Sequence, residues 1–244
     1  MESQKPKIAM YVKRPFGEKL NASFDFLKEN WKLLMKFITY LLLPLCLIQA
    51  LSLNGLMSGA LSISAIASST AMAASSSSLI AFGSYYGLYM FLYLIGIILL
   101  TSLVYGLIRT YNEREERLQG VTLGMLKPRL FRNIKRLLLM TGACILLVLF
   151  VGIFVGLLVA LTPFTLFLTI PFIIAFSVPL ALLAPIYLFE DITLMEAFKK
   201  TFRLGFATWG GVFLVSLLMG IIANVLQGVT MMPWYIATVE IGRA

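Results

Sequence analysis

Residues 184–209 read APIYLFEDITLMEAFKKTFRLGFATW, and this stretch decides the fold. An apolar run ends at an acidic break formed by Glu190 and Asp191. A helix with basic residues on one side follows, and Trp209 then opens another apolar run. The pattern predicts a surface helix that joins two membrane-spanning helices.

The start of this surface helix carries its own signal. Thr193 and Glu196 have the spacing of a capping box, and Asp191 lies just upstream, so these three residues are predicted to cap the helix. Helical spacing separates an apolar face from a basic face. The apolar face consists of Leu194, Phe198, Thr201, Phe202 and Gly205, and the basic face of Lys199, Lys200 and Arg203.

The composition places the chain in a membrane. It has 60% hydrophobic and 13% charged residues, whereas soluble domains have roughly 45–50% and about 25%. A net charge of +9 would suggest nucleic acid in a soluble protein, but here Lys and Arg mark the cytoplasmic side, and no nucleic-acid partner is expected. Cys46 and Cys144 lie in apolar runs without metal or redox spacing. Polar residues precede the first apolar run, so no signal peptide is expected.

Hydropathy and helical periodicity give the predicted fold class, an all-α polytopic helical membrane bundle with five transmembrane helices. Interfacial amphipathic helices are predicted to precede the hairpins of spans, and residues 1–17 to form a basic cytoplasmic segment. The predicted spans are residues 33–53, 79–108, 137–161, 164–189 and 206–227, and the predicted surface helices are residues 18–32, 121–136 and 193–205.

Three connections are predicted in more detail. Residues 54–78 contain no charge and are rich in Ser, Ala and Gly, which favours an external loop with some irregular helix, with a re-entrant segment as the alternative. Thr162 and Pro163 make a very short connection, so the third and fourth spans form a tight hairpin. Prolines interrupt the fourth span, and because lipid offers no water for the freed carbonyls, this span is expected to be central and kinked. They are Pro171, Pro179 and Pro185.

The basic residues set the predicted orientation. Nineteen of the 20 Lys and Arg lie in segments on one side of the predicted spans, and only Arg243 lies on the other. This asymmetry predicts a multi-pass protein of the cytoplasmic (inner) membrane with a cytoplasmic N-terminus. Trp31 lies at the end of the first surface helix and Trp209 near the start of the fifth span, and these two residues are the predicted anchors at the membrane interface.

An internal repeat underlies this arrangement. SFDFLKENW at residues 23–31 aligns without gaps with TFRLGFATW at residues 201–209, and residues 130–138 take the equivalent place in the middle. The chain therefore divides into three units, each a surface helix followed by a hairpin, although the third has a single span. Either the protein has five spans, or these 244 residues are a fragment that lacks a sixth span. The fragment is the preferred interpretation.

The same segments carry a resemblance. FGEKL at residues 16–20 with SFDFLKENW, and PIYLFED at residues 185–191 with EAFKKTFRL at residues 196–204, resemble the glycerophosphoryl diester phosphodiesterase membrane domain family and its YciC-like uncharacterised inner-membrane relatives. The resemblance implies a six-span membrane domain. Some members are fused to a soluble phosphodiesterase and many stand alone without known activity. Within residues 1–244 no such catalytic domain is expected.

The sequence contains little that suggests catalysis. There is no histidine, the commonest general base and metal ligand at neutral pH. Glu190, Asp191 and Glu196 form the tightest carboxylate group near a span end, but helix capping and pairing with nearby Lys and Arg account for them better than a metal or phosphoester site. No phosphate-binding loop or nucleophile motif is found. No catalytic residue, metal or cofactor is expected.

Three functional hypotheses follow. The preferred one is a non-enzymatic scaffold or accessory bundle, linked to lipid or envelope metabolism. The alternatives are a transporter or permease component, disfavoured because the span interiors contain no charge, and a membrane enzyme acting on lipids. Polar candidates inside the spans are Gln49, Thr101, Ser102, Asn224 and Gln227. The expected partners are anionic lipid headgroups on the cytoplasmic face. Their predicted contacts are Lys127, Arg129, Arg132, Lys135, Arg136, Lys199, Lys200 and Arg203.

Overall fold

The computed structural model describes residues 7–9, 12–68, 76–162 and 164–241. Over these residues the chain forms seven helices and no strand, which confirms the all-α class. The helices are α1 (Phe16–Ser68), α2 (Ser76–Glu113), α3 (Leu123–Leu161), α4 (Thr165–Leu180), α5 (Leu183–Phe189), α6 (Leu194–Ala207) and α7 (Trp209–Ile241).

Five helical segments in the described ranges are long and apolar enough to cross a membrane, which confirms a helical multi-pass class. The fourth consists of α4 and α5 together. These segments are Phe16–Ala60, Leu79–Glu113, Leu123–Leu161, Thr165–Phe189 and Trp209–Pro233.

The first two predicted surface helices are not separate elements. Residues 18–32 belong to α1, which continues for 53 residues, and residues 121–136 belong to α3, which continues to Leu161. Neither predicted junction, at residues 32–33 or 136–137, contains a Pro or Gly, so nothing interrupts the backbone hydrogen bonds where polar sequence becomes apolar. Of the three predicted surface helices, α6 alone is a separate helix. It ends at Ala207, and Thr208 separates it from α7.

Residues 54–68 are helical, and the prediction of a loop from residue 54 is wrong for this part; residues 69–75 lie outside the described ranges. The extension packs against α2. A Cβ atom on Gly55 would lie 2.6 Å from Cε1 of Tyr85, so only glycine lets the ring approach this closely. Composition rich in small residues therefore indicates close helix packing here rather than a loop.

The chain divides into two compact units, Met1–Gly142 and Ala143–Ala244. In the first unit, α1, α2 and the beginning of α3 share one apolar core near the polar ends of the predicted spans. Leu103, Leu107 and Tyr111 of α2 are fully buried at its centre. The other members are Phe26, Leu34, Phe37, Leu118, Val121, Leu126 and Leu130.

In the second unit, the predicted fourth span is broken rather than smoothly kinked. The helix stops at Leu180, after Pro179, and α5 restarts at Leu183. Among the residues of this unit whose burial the structure describes, the buried ones lie at the end of α4, in α5 and on one side of α6. Phe167 and Leu168 are about four-fifths exposed, so α5, α6 and α7 leave the first part of α4 uncovered.

The turn between α3 and α4 is as short as predicted, since α3 ends at Leu161 and α4 begins at Thr165. At the other end, α7 continues well beyond the predicted span end at residue 227 and reaches Ile241. The predicted turn residue Pro163 and the basic residue Arg243 lie outside the described residues.

Candidate functional site

A buried tyrosine is the centre of the charged end of the first unit. Tyr111 lies near the end of α2 and is fully buried. Its hydroxyl donates to Oε2 of Glu29 on α1 at 3.2 Å and accepts the backbone N–H of Ile8 at 3.2 Å. The ring of Phe26 meets the Tyr111 ring edge-on, with centroids 5.1 Å apart. One side chain therefore joins α1, α2 and the N-terminal segment.

Two cations complete this Tyr111 junction, which consists of Lys7, Ile8, Phe26, Glu29, Tyr111 and Arg117. Arg117 pairs with the second carboxylate oxygen of Glu29 at 2.8 Å. Lys7 donates to the backbone carbonyls of Asn112 and Arg114 at 2.8 and 3.1 Å. Because the last carbonyls of a helix lack partners within the helix and carry partial negative charge, a lysine there satisfies them and fixes the N-terminal segment.

A second group of charges joins α2 to α3. Glu113 lies between Arg109 and Arg129, and the Arg109 Nε–Glu113 Oε1 distance is 3.0 Å. Arg129 of α3 pairs with the other oxygen of Glu113 and also donates to the hydroxyl of Thr110. These side chains are only partly buried, so each ion pair contributes little to the free energy of unfolding. The network mainly fixes the position of α2 relative to the beginning of α3.

Two of the polar residues predicted inside the spans, Ser102 and Asn224, donate hydrogen bonds to backbone carbonyls. Ser102 is fully buried and donates to the carbonyl of Leu130 on α3 at 3.1 Å. Asn224 donates to the carbonyl of Gly220 in its own helix at 2.8 Å. The first contact links two helices and the second belongs to a single helix, and both are the hydrogen bonds that polar residues in apolar helices ordinarily make.

The acidic group of the second unit is engaged in local structure. Glu190 pairs with Lys200 of α6. Thr193 and Glu196 form the predicted capping box, in which the Thr193 N–H donates to Glu196 Oε2 at 3.0 Å and the Glu196 N–H donates to Thr193 Oγ1 at 3.4 Å. The bond from the Thr193 N–H lowers the pKa of Glu196 below its usual value. Asp191 lies two residues before the cap with φ 55°.

The positions of the carboxylates and thiols show whether they could form a metal site. In the ranges that it describes, no three Cys, Asp or Glu residues lie close enough together to hold a metal ion. Cys46 is exposed and Cys144 is half-buried, and both are free thiols. The carboxylates nearest to a span end instead meet Lys, Arg or backbone N–H groups, which is the arrangement of a structural ion pair or cap.

The predicted headgroup contacts fall into two groups. Arg129, Arg136 and Lys200 are half-buried, and Arg129 and Lys200 form ion pairs within the protein. The other five project outward from α3 and α6, and we call them the outer basic faces. These exposed residues are Lys127, Arg132 and Lys135 of α3, and Lys199 and Arg203 of α6.

The two predicted tryptophan anchors differ in their surroundings. Trp31 is 56% exposed on α1. Trp209 is half-buried, stacks on Phe213 and donates its indole N–H to the carbonyl of Ala175 at 3.0 Å. Pro179 has no N–H to give that carbonyl one turn later, so Trp209 supplies the missing donor. The carbonyl that Pro179 leaves without a donor thus obtains one from a neighbouring helix, as a backbone group in an apolar environment requires.

An open groove in the first unit was not predicted from the sequence. Its volume is about 760 Å³, and α1, α2 and the N-terminal segment form its walls. The lining residues are Ile8, Val12, Arg14, Lys19, Ala22, Ser23, Phe26, Leu27, Trp31, Leu34, Met35, Ile38, Val104 and Ile108. The available signal was the apolar spacing of Leu27, Trp31 and Met35, which predicts a face of a surface helix equally well.

Comparison with protein-family models, with curated proteins and with solved structures found no match to this chain. The resemblance of residues 16–31 and 185–204 to the glycerophosphoryl diester phosphodiesterase membrane domain family therefore stays a prediction.

Proposed function

We propose that the chain is a non-enzymatic scaffold or accessory bundle of the cytoplasmic membrane, with a cytoplasmic N-terminus and a role in lipid or envelope metabolism. The observation that carries this proposal is the use of the carboxylates. Glu29, Glu113 and Glu190 form ion pairs, and Glu196 caps α6. A general acid or metal ligand must be available to a substrate, whereas these groups hold helices together.

The outer basic faces support a second part of the proposal, that the cytoplasmic end binds anionic lipid headgroups. Their five cations are exposed, so their charge is accessible to the surroundings. Each Lys or Arg near an anionic membrane surface contributes about 1 kcal/mol of attraction. A bundle with five such cations therefore concentrates anionic lipids around itself.

Neutralising four of the five exposed cations, with Arg132 kept, tests this proposal. The full chain with K127Q, K135Q, K199Q and R203Q is reconstituted in vesicles of equal phosphatidylglycerol and phosphatidylcholine, and polymer-bounded discs are then excised. We expect wild-type discs to be enriched in phosphatidylglycerol and the variant discs to approach the bulk composition, as lipid mass spectrometry would show. A charge-conserving control with K127R, K135R, K199R and R203K should keep the enrichment. Equal enrichment in all three proteins would contradict the headgroup role.

The same vesicles test the absence of catalysis. We expect wild-type protein to leave every lipid species unchanged over prolonged incubation. A lysolipid or released headgroup that forms with wild-type protein and fails to form with E190Q/D191N would show that the acidic group is a catalytic site. That result would replace the scaffold by a membrane enzyme.

A further inference from the structure

We propose that the groove between α1, α2 and the N-terminal segment binds one anionic phospholipid. An acyl chain lies along its apolar walls, and the phosphate lies against Arg14 and Lys19. The inference goes beyond the proposed function, because it names a discrete site in the first unit that shares no residue with the outer basic faces of α3 and α6.

The walls have the chemistry and size that an acyl chain needs. Leu27, Trp31 and Met35 follow one another along α1 and are each about half exposed, so they present apolar surface that the fold leaves uncovered. Val104 and Ile108 of α2 form the facing wall. The volume of about 760 Å³ falls in the range of roughly 300–1,000 Å³ that is usual for sites binding small molecules.

The groove is also long enough for one acyl chain together with its headgroup. Its lining extends along α1 from Lys19 to Ile38, which at about 1.5 Å per residue is roughly 28 Å. One leaflet contributes about half of a hydrocarbon core roughly 30 Å thick. An extended acyl chain with its headgroup therefore fits between the two ends.

One end of the groove is basic and the other is apolar, as a phospholipid with an anionic headgroup and an acyl chain requires. Arg14 and Lys19 lie at the end where α1 begins, and Ile38 and Val104 lie at the end within the predicted spans. In the part of the chain that the structure describes, the side chains of Arg14 and Lys19 make no hydrogen bond or ion pair, in contrast to Arg117 and Arg129. Both cations remain available to a phosphate, which they bind by charge-assisted hydrogen bonds.

Continuity with the predicted spans favours a lipid over a partner helix. Leu34, Met35 and Ile38 line the groove and belong to the first apolar run, and Val104 belongs to the second. A lipid from the surrounding bilayer reaches this end by lateral diffusion, whereas a soluble amphipathic helix would meet hydrocarbon there. The apolar end and the basic end together match one amphiphile.

The Tyr111 junction holds the groove in shape before any ligand arrives. Lys7 fixes the N-terminal segment to the end of α2, and the Ile8 N–H bonds to Tyr111. Ile8, Val12 and Arg14 of the same segment line the groove. A preformed wall lowers the ordering cost of binding, so a lipid can be retained rather than exchanged freely.

Charge removal at the basic end provides the main test. Full-length wild-type, R14Q/K19Q and K28Q/K32Q proteins are reconstituted in vesicles of equal phosphatidylglycerol and phosphatidylcholine, extracted in mild detergent and examined by native mass spectrometry. Lys28 and Lys32 are exposed on the same helix and do not line the groove. We expect wild type and K28Q/K32Q to retain one phosphatidylglycerol, and R14Q/K19Q to bind it about thirtyfold more weakly, as for two lost charges near a membrane surface.

A steric variant provides a second readout that leaves all charges in place. Ala22 lines the groove and is only partly exposed, so A22W should fill it and abolish retention. Equal retention by R14Q/K19Q and K28Q/K32Q, or equal retention of phosphatidylcholine, would overturn the proposal, as would a wild-type protein without bound lipid. Neutralising the outer basic faces should lower bulk enrichment while the single retained lipid stays, so the two proposals fail separately.

Discussion

Replacing Tyr111 by alanine is expected to lower the free energy of unfolding by about 3–5 kcal/mol, as for other fully buried aromatic residues. The ring is fully buried in the core of the first unit, and Phe26 packs edge-on against it. The substitution also removes the hydroxyl that joins Glu29 to the Ile8 N–H. The measurement is reversible unfolding of the purified protein by SDS titration in mixed micelles.

Two further variants separate the causes of this loss. Tyr111→Phe keeps the ring and removes the hydroxyl, which should cost about 1 kcal/mol because Arg117 still pairs with Glu29. Tyr93→Ala removes a tyrosine of the same helix that is 52% exposed, and its effect should be less than half that of Tyr111→Ala. Equal losses for Tyr111→Ala and Tyr93→Ala would show that the junction does not stabilise the first unit.

Gly205→Leu should destabilise the second unit by about 1–3 kcal/mol or more, as overpacking of a fixed contact does. A Cβ atom at this position would lie 2.6 Å from both Cα and Cβ of Pro179. Neither atom can move away as the end of a flexible side chain would, since both belong to the proline ring and its backbone. The clash should separate α6 from α4 and weaken the nearby Trp209–Ala175 hydrogen bond.

Gly211→Leu is the matched control for this prediction. Nothing lies within 4 Å of the position of its Cβ atom, and leucine has a higher helix propensity than glycine. This variant should therefore unfold at the same or a slightly higher SDS fraction than wild type, whereas Gly205→Leu unfolds at a lower one. Similar behaviour of the two variants would contradict the close packing of α6 against Pro179.

The parts of the fold that were predictable from the sequence depend on local physics. Apolar runs long enough for a bilayer gave five spanning segments, and the four residues Thr193–Glu196 were enough to predict the capping box. Hydropathy alone does not show whether a helix ends where polar sequence becomes apolar, because the hydropathy changes at such a junction while the backbone hydrogen bonding does not. The uninterrupted α1 is the result.

The candidate site was less predictable, because its contacts connect residues far apart in sequence. Tyr111 meets Glu29 and Ile8 across 82 and 103 positions, and no periodicity within α2 indicates either partner. Trp209 was predicted as an interface anchor from its position alone. Its bond to Ala175 becomes understandable only when Pro179 is seen to deprive that carbonyl of its own donor. Such tertiary contacts override local expectation.

Labelling from the two sides of the membrane tests directly whether the basic segments of α3 and α6 face the cytoplasm, as the proposed headgroup binding requires. With Cys46 and Cys144 replaced by serine, single cysteines are introduced by K127C, T162C and K199C, and intact cells are treated with an impermeant maleimide. We expect T162C to be labelled in intact cells, and K127C and K199C to react only after permeabilisation. Labelling of K127C and K199C in intact cells, with T162C protected, would contradict it.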